Sequence, residues 1–390
     1  MFNLSRRNVS IFQRVIYNVV NDSSLFLRVR FISKNSLDSD PSQSFGFSYF
    51  VNKFGFSKTS ALAASKIVVI KTPNKPEAVI AFLEKQGFSE TQIKHIVRVR
   101  PTLLNSNIEK TLVPKFEYFL SKGVSTPDLI KLLFHNPRIL SRSLENQIIP
   151  CVTHLHNLIK CDSKVFKAIK RHPYIFSCKL EAYLLPNIKL LLDSGVPESN
   201  IIERFVHHPR SFIMVPDEFA KIVKEVKDMG FNPFQFKFLL AVIMFRRMSK
   251  STLQRKFDGY KKYGWSEQQC WEAFRICPPC MEASEQKIMA TMDFLLNEMG
   301  LQSSLIVKKP YCLAGNSLEN RLVPRGLFAQ ELLSRGLIES FSLSGLFKDP
   351  EKKFLERFVY QYEDKAPELL ELYKEKVKIA QGGKYRIGNH

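Results

Sequence analysis

Apolar positions along this chain fall on a frame of about 36 residues. Its anchors are Pro101, Pro137, Pro173, Pro209, Phe245, Pro278 and Pro310. Four residues before them stand Val97, Leu133, Ile169, Phe205, Ala241, Phe274 and Ile306. Three residues after them stand Leu104, Leu140, Phe176, Phe212, Met248, Met281 and Leu313. Ahead of each anchor the apolar residues are spaced i, i+3 and i+4, as over Pro127 to His135, which predicts a helix of about ten residues. Proline ends it, because the residue before a proline is pushed out of the α region. A short apolar turn follows, such as Ile139-Leu140 or Ile175-Phe176. A second set of prolines, Pro114, Pro150, Pro186 and Pro324, trails the first by 13 or 14 residues. These are expected at the start of a second helix, where the missing N–H costs little.

The glycines keep the same period. Gly87, Gly123, Gly195, Gly230, Gly264, Gly300 and Gly336 recur in register, with one position skipped near Ile159. Each precedes an apolar residue, the pattern of a helix stop with its hydrophobic contact. Two helices per unit cannot bury their apolar faces alone, so the units must stack. The expected fold is all-α: an α-solenoid of about eight two-helix repeats, seven from Ser89 to Leu337 and a partial one from Val51 to Gly87. The repeats form one elongated domain over residues 51–345, with a C-terminal helical cap and basic tail over 346–390.

The first 33 residues break the frame. They hold Arg6, Arg7, Arg14, Arg28 and Arg30 but one acid, Asp22. Ile11, Phe12, Val15, Ile16, Val19 and Val20 fall on one side of a helical wheel, the form of a mitochondrial presequence. An ordinary first helix of the fold is the alternative, and a chloroplast is the alternative compartment. A Ser-rich linker over 34–50 joins this leader to the repeats.

Composition narrows the partners. The chain carries 58 Lys+Arg against 37 Asp+Glu, a formal charge of +21. Without the leader it stays at about +17, so the basicity belongs to the folded body. An apolar fraction of 45% excludes a disordered basic tail. The longest apolar run, Phe238 to Phe245, falls short of the roughly 18 residues of a membrane span. Seven scattered cysteines point to a reducing compartment. A polyanion is the partner this charge favours.

The cations cluster on the frame. Within two positions of the anchors lie Arg100, Arg138, Arg171, Arg210, Arg246, Arg247, Lys308 and Lys309, with His135, His172, His207 and His208 and no Asp or Glu. Equivalent positions of a solenoid line one face, and a stripe of cations is what a phosphate backbone needs. The competing explanation is local: cations at helix C-termini offset the macrodipole by about 0.3–1 kcal/mol each. Arg142, Lys170 and Lys250 lie just beyond the windows as weaker candidates.

Other chemistry finds little footing. Cys277-Pro278-Pro279-Cys280 with Cys270 lacks the second pair a zinc site needs. His154 and His156 face different ways on a helix, which argues against a joint site with Cys151 and Cys161. Phosphate-cradling glycine loops, nucleophile elbows and carboxylate pairs do not stand out. No catalytic residue, metal ligand, cofactor or small-molecule substrate is assigned.

Four anchor segments, Arg100-Pro-Thr-Leu-Leu104, Asn136-Pro-Arg-Ile-Leu140, His172-Pro-Tyr-Ile-Phe176 and His208-Pro-Arg-Ser-Phe212, together with the period, resemble the mitochondrial transcription termination factor (mTERF) family. The resemblance covers roughly residues 45 to 375. The segments Lys75 to Leu83 before Gly87-Phe88-Ser89, Ser317 to Arg325, and Lys353 through Tyr373 are similar to its plant branch. The fifth repeat departs with Phe245 for proline, and the sixth has Pro278-Pro279 without a basic neighbour. The resemblance implies a superhelix of paired helices, each pair with a short 3₁₀ turn. It also implies binding of organelle nucleic acid through a basic inner groove, without catalysis. The expected function is regulation of mitochondrial gene expression in the matrix, by transcription termination on duplex DNA. The alternatives are RNA binding in intron splicing or RNA maturation, and a protein-interaction scaffold. Expected partners are mitochondrial DNA or RNA and organelle transcription or splicing proteins, with a monomeric chain and no membrane insertion.

Overall fold

The computed structural model describes residues 44–315, 317–382 and 385, and every regular element among them is helical. The presequence read at 1–33, and the tail basics Lys384 and Arg386, lie outside the described residues. The stretch read as a linker over 34–50 ends earlier than expected. The helix Phe45–Phe54 begins inside it, capped by the Ser44 side chain and burying Gly46, Phe50 and Phe54.

Each proline anchor does what its chemistry dictates. The residue before it is bent out of the α region to φ between −144° and −132°, at Arg100, Asn136, His172, His208, Cys277 and Lys309. A 3₁₀ turn then opens on the proline itself: Pro101–Asn105, Pro137–Ser141, Pro173–Ser177, Pro209–Phe212, Pro278–Met281 and Pro310–Leu313. Thirteen of the fourteen flanking apolar residues are buried. Met248 is the exception, and it belongs to the repeat without the proline. There the helix Phe236–Arg247 runs straight past Phe245, no 3₁₀ turn forms, and the next helix starts at Lys250.

The second prolines sit elsewhere than the sequence suggests. Pro114, Pro150 and Pro324 lie well inside the second helices, which open at the side-chain caps Asn107, Ser143 and Ser317. Proline cannot donate to the carbonyl four residues back, and its ring crowds that carbonyl. The turn ahead of it widens accordingly: Val113 donates to Ile108, Ile149 to Leu144 and Val323 to Leu318, each five residues back. In the third repeat the helix breaks at Leu184 instead, between Leu180–Tyr183 and Leu185–Asp193.

Helices end and restart through a three-residue device. Gly87, Gly123 and Gly264 take positive φ of 93°, 78° and 83°. The next residues, Phe88, Val124 and Trp265, are buried. The serines after them, Ser89, Ser125 and Ser266, cap the following helix, two of them in full capping boxes. At the skipped position Lys160 adopts φ 57° and ψ 23°, and among the described residues no other side chain occupies this left-handed region. Replacing Lys160 with glycine is expected to raise stability by about 1 kcal/mol, since glycine meets no Cβ penalty there. A urea midpoint that stays or falls would contradict this.

Repeats are also joined by buried polar groups. Lys115 Nζ donates to the Leu140 carbonyl at 2.6 Å. Asn187 Nδ2 donates to those of Phe212 and Met214, both at 2.9 Å. Lys256 Nζ reaches the Met281 carbonyl at 2.6 Å and the Ala283 carbonyl. Arg325 Nη1 reaches Leu346 at 3.0 Å and Asp349 at 2.7 Å. In each case a second helix satisfies carbonyls about 25 residues further on that lack a helical partner, at the end of a 3₁₀ turn for Lys115, Asn187 and Lys256 and at the end of the short helix Leu343–Phe347 for Arg325. Three of these donors, Lys115, Asn187 and Arg325, directly follow a second proline.

The helices gather into two compact units rather than the single domain read from the repeats. One runs to Lys189 and includes Ile201–Pro216, and the other comprises Leu190–Asn200 and the chain from Asp217. Each unit packs chiefly within itself, and the chain passes between them inside the helices Leu185–Asp193, Glu198–His207 and Pro216–Asp228.

Candidate nucleic-acid interface

In the first unit the four anchors place Arg100, Arg138, Arg171 and Arg210 at consecutive 3₁₀ turns. Arg100 is the residue before its turn, and Arg138 and Arg210 are the second residues of theirs. Arg171 ends the helix Asp162–Arg171. Arg171 and Arg210 are exposed, while Arg100 and Arg138 are half-buried. Among the described residues no carboxylate comes within ion-pair distance of any of the four. Macrodipole compensation applies to Arg171, in an α-helical last turn, but Arg138 and Arg210 lie beyond the α-helix.

These cations have company that the windows around the anchors did not include. Arg142 caps the end of the turn Pro137–Ser141 and lies close enough to Arg100, with Arg138, to help lower its pKa, burial being the larger cause. Lys167, Arg171 and Arg204 surround His207. Burial first, then these cations, hold its imidazole below its ordinary pKa, with Glu203 opposing. The signal was present in the spacing. A 3₁₀ turn starting at the anchor carries the chain forward to its C-terminal cap five residues later, which is where Arg142 stands. Lys170 and Lys250, the other outlying candidates, are instead ion-paired, to Asp128 at 3.0 Å and Glu225 at 3.1 Å.

The second unit carries a different version of the stripe. Arg246 is half-buried, and Arg247 is paired with Glu282 from the following repeat. The turn of the sixth repeat, Pro278–Met281, offers no cation. Lys308 and Lys309 are exposed before Pro310, and Lys348 Nζ stands 5.2 Å from the centre of the Tyr311 ring.

The other candidate chemistry dissolves into packing. Cys270, Cys277, Cys280 and Cys312 are all buried. Burial pushes the Cys270 and Cys277 thiols up to about 11 and the Cys312 thiol to about 12, so they stay protonated and pack as small apolar groups. His154 pairs with Glu181 at 2.8 Å and His156 with Asp162 at 2.7 Å, two separate surface contacts. Among the described residues no cluster of His, Cys, Asp or Glu is arranged to hold a metal, and no helix is long and apolar enough to cross a membrane.

The family model for mTERF matches residues 80–291 and 240–355, most of the chain. No curated protein matched. Proteins of this family are organellar binders of nucleic acid and are not enzymes.

Proposed function

This chain belongs to the mTERF family, and from that premise we propose that it regulates mitochondrial gene expression by gripping duplex DNA along its 3₁₀ turns, in transcription termination. The supporting observation is the line of guanidinium groups at four successive turns of the first unit, with no carboxylate within ion-pair reach. Guanidinium groups at a repeating interval displace condensed counterions from a regularly charged backbone, and sequence need not be read to gain affinity. Arg100, Arg138, Arg171 and Arg210 make the phosphate contacts of the first unit in this reading; within the second unit the candidates are Arg246, Lys308 and Lys309, Arg247 being held by Glu282. The Arg-rich, acid-poor first 33 residues supply the mitochondrial address.

One observation favours RNA as a second reading. Tyr174, second residue of the turn Pro173–Ser177, occupies the repeat position held by Arg138 and Arg210 in the neighbouring repeats, and its side chain is exposed. An exposed ring between guanidinium positions suits an unpaired base better than a stacked duplex.

Crosslinking in isolated mitochondria, followed by sequencing of the bound strand with RNase and DNase controls, separates the two. DNase-sensitive, RNase-resistant recovery of mitochondrial DNA is expected. Recovery of neither polymer, with no salt-sensitive binding in vitro, would end both readings.

A further inference from the structure

The geometry points to a preformed phosphate pocket built by Arg100, Arg138 and Arg142 across the first and second repeats. Arg100 Nε donates to Ser141 Oγ at 3.2 Å. Ser141 is the last residue of the turn Pro137–Ser141, so the bond lays the Arg100 guanidinium across that turn. Arg138 is the turn's second residue and Arg142 its C-terminal cap, so the same turn carries the other two cations. All three side chains are half-buried. Among the described residues the Arg100–Ser141 bond is the one side-chain hydrogen bond any of them makes, and no carboxylate pairs with them.

Guanidinium groups held against the fold ordinarily find an acid, as Arg325 finds Glu351 in this same chain. Three converging cations without one repel each other, and their unused N–H donors are partly shielded from water. A phosphate removes both costs. Its oxygens are shared among several donors in the fork geometry that guanidinium favours. A carboxylate offers two oxygens in one plane and cannot serve three guanidinium groups as well. The occupant is a backbone phosphate of the bound polymer, an assignment that rests on the proposed function. The pocket's affinity for phosphate itself does not.

Two measurements on the full chain test it. In the first, thermal unfolding is followed in inorganic phosphate and in chloride at equal ionic strength. Phosphate is expected to raise the midpoint by about 2 °C or more. Arg142→Gln and Arg138→Gln are each expected to lose that shift. Lys224→Gln, which removes the same charge from an exposed helix position outside the stripe, keeps it. In the second, Arg142→Gln weakens binding of a mitochondrial DNA fragment or transcript about tenfold. The slope of log affinity against log salt falls by about one. Far-ultraviolet circular dichroism confirms that each variant is folded, and two independent variants guard against one misfolding.

An absent phosphate shift in the wild-type chain, or one that survives in Arg142→Gln, overturns the pocket. If the chain binds no polynucleotide while phosphate protection still runs through these arginines, the proposed function falls and the pocket stands.

Discussion

Reversing Arg138, Arg171 and Arg210 to glutamate together is expected to lower polynucleotide affinity at least about a thousandfold at moderate salt, and to flatten its salt dependence by about three phosphate contacts. The three side chains hold no acid, so little folding free energy is lost with them. Surface changes of this kind move stability by about 0.5 kcal/mol or less each. This result separates the two explanations for the stripe. If the cations served only the helix macrodipole, the triple variant would lose about 0.3–1 kcal/mol of stability per site and bind as before. Titration of a labelled mitochondrial DNA fragment at several salt concentrations, beside urea unfolding of the same variants, reads both quantities. Unchanged affinity in a chain of reduced stability would remove the interface.

Arg325 is the site where one substitution is expected to cost most in folding. Its side chain is fully buried, at 0% relative exposure. It donates to the Leu346 and Asp349 carbonyls and to Glu351 Oε2 at 2.6 Å, and its guanidinium lies 4.3 Å from the centre of the Phe354 ring. Tyr373 completes the cluster by donating to the other Glu351 oxygen at 2.8 Å. Arg325→Ala is expected to destabilise by about 3–5 kcal/mol, since it orphans two buried carbonyls and opens a cavity. Arg325→Met keeps most of the volume and loses the donors. Its expected cost of about 2 kcal/mol or more isolates the hydrogen bonds. Urea unfolding of both variants checks this. A Met variant as stable as the wild type would show that the carbonyls find water instead.

The repeat was legible because proline and glycine act locally. The residues before the anchor prolines leave the α region, and glycine stops follow from positive φ; Val113, Ile149 and Val323, before the second prolines, stay α-helical behind their wide turns. Phe245 shows the converse. With the proline absent, the 3₁₀ turn is absent too, and Met248 loses its buried place. What escaped was non-local. Pro114, Pro150 and Pro324 looked like helix starts because a wide turn leaves no mark in composition. The helix instead begins at the serine or asparagine cap seven residues earlier. The burial of Lys115 and Lys256 leaves no local trace, since nothing near them in sequence shows that carbonyls 25 residues away need a donor. Burial lowers the pKa of both. Within the interface, Arg142 fell outside a window drawn symmetrically around the proline, whereas the turn extends only forward. Arg247 sits inside its window, yet Glu282, 35 residues on, claims it.

The buried donors reach forward along the chain, Asn187 also donating back to the Tyr183 carbonyl. Lys115, Asn187, Lys256 and Arg325 each wait on carbonyls that come later in sequence. A chain that acquires its repeats in order from the N-terminus, as during synthesis or passage through a translocon, therefore ends again and again in an ammonium or guanidinium without its carbonyls, or an amide with one partner of three. The growing face stays hydrated until the next turn arrives to cover it. A partly made stack is thus shielded from sticking to another partly made copy, and the same polar group becomes structural once its successor docks.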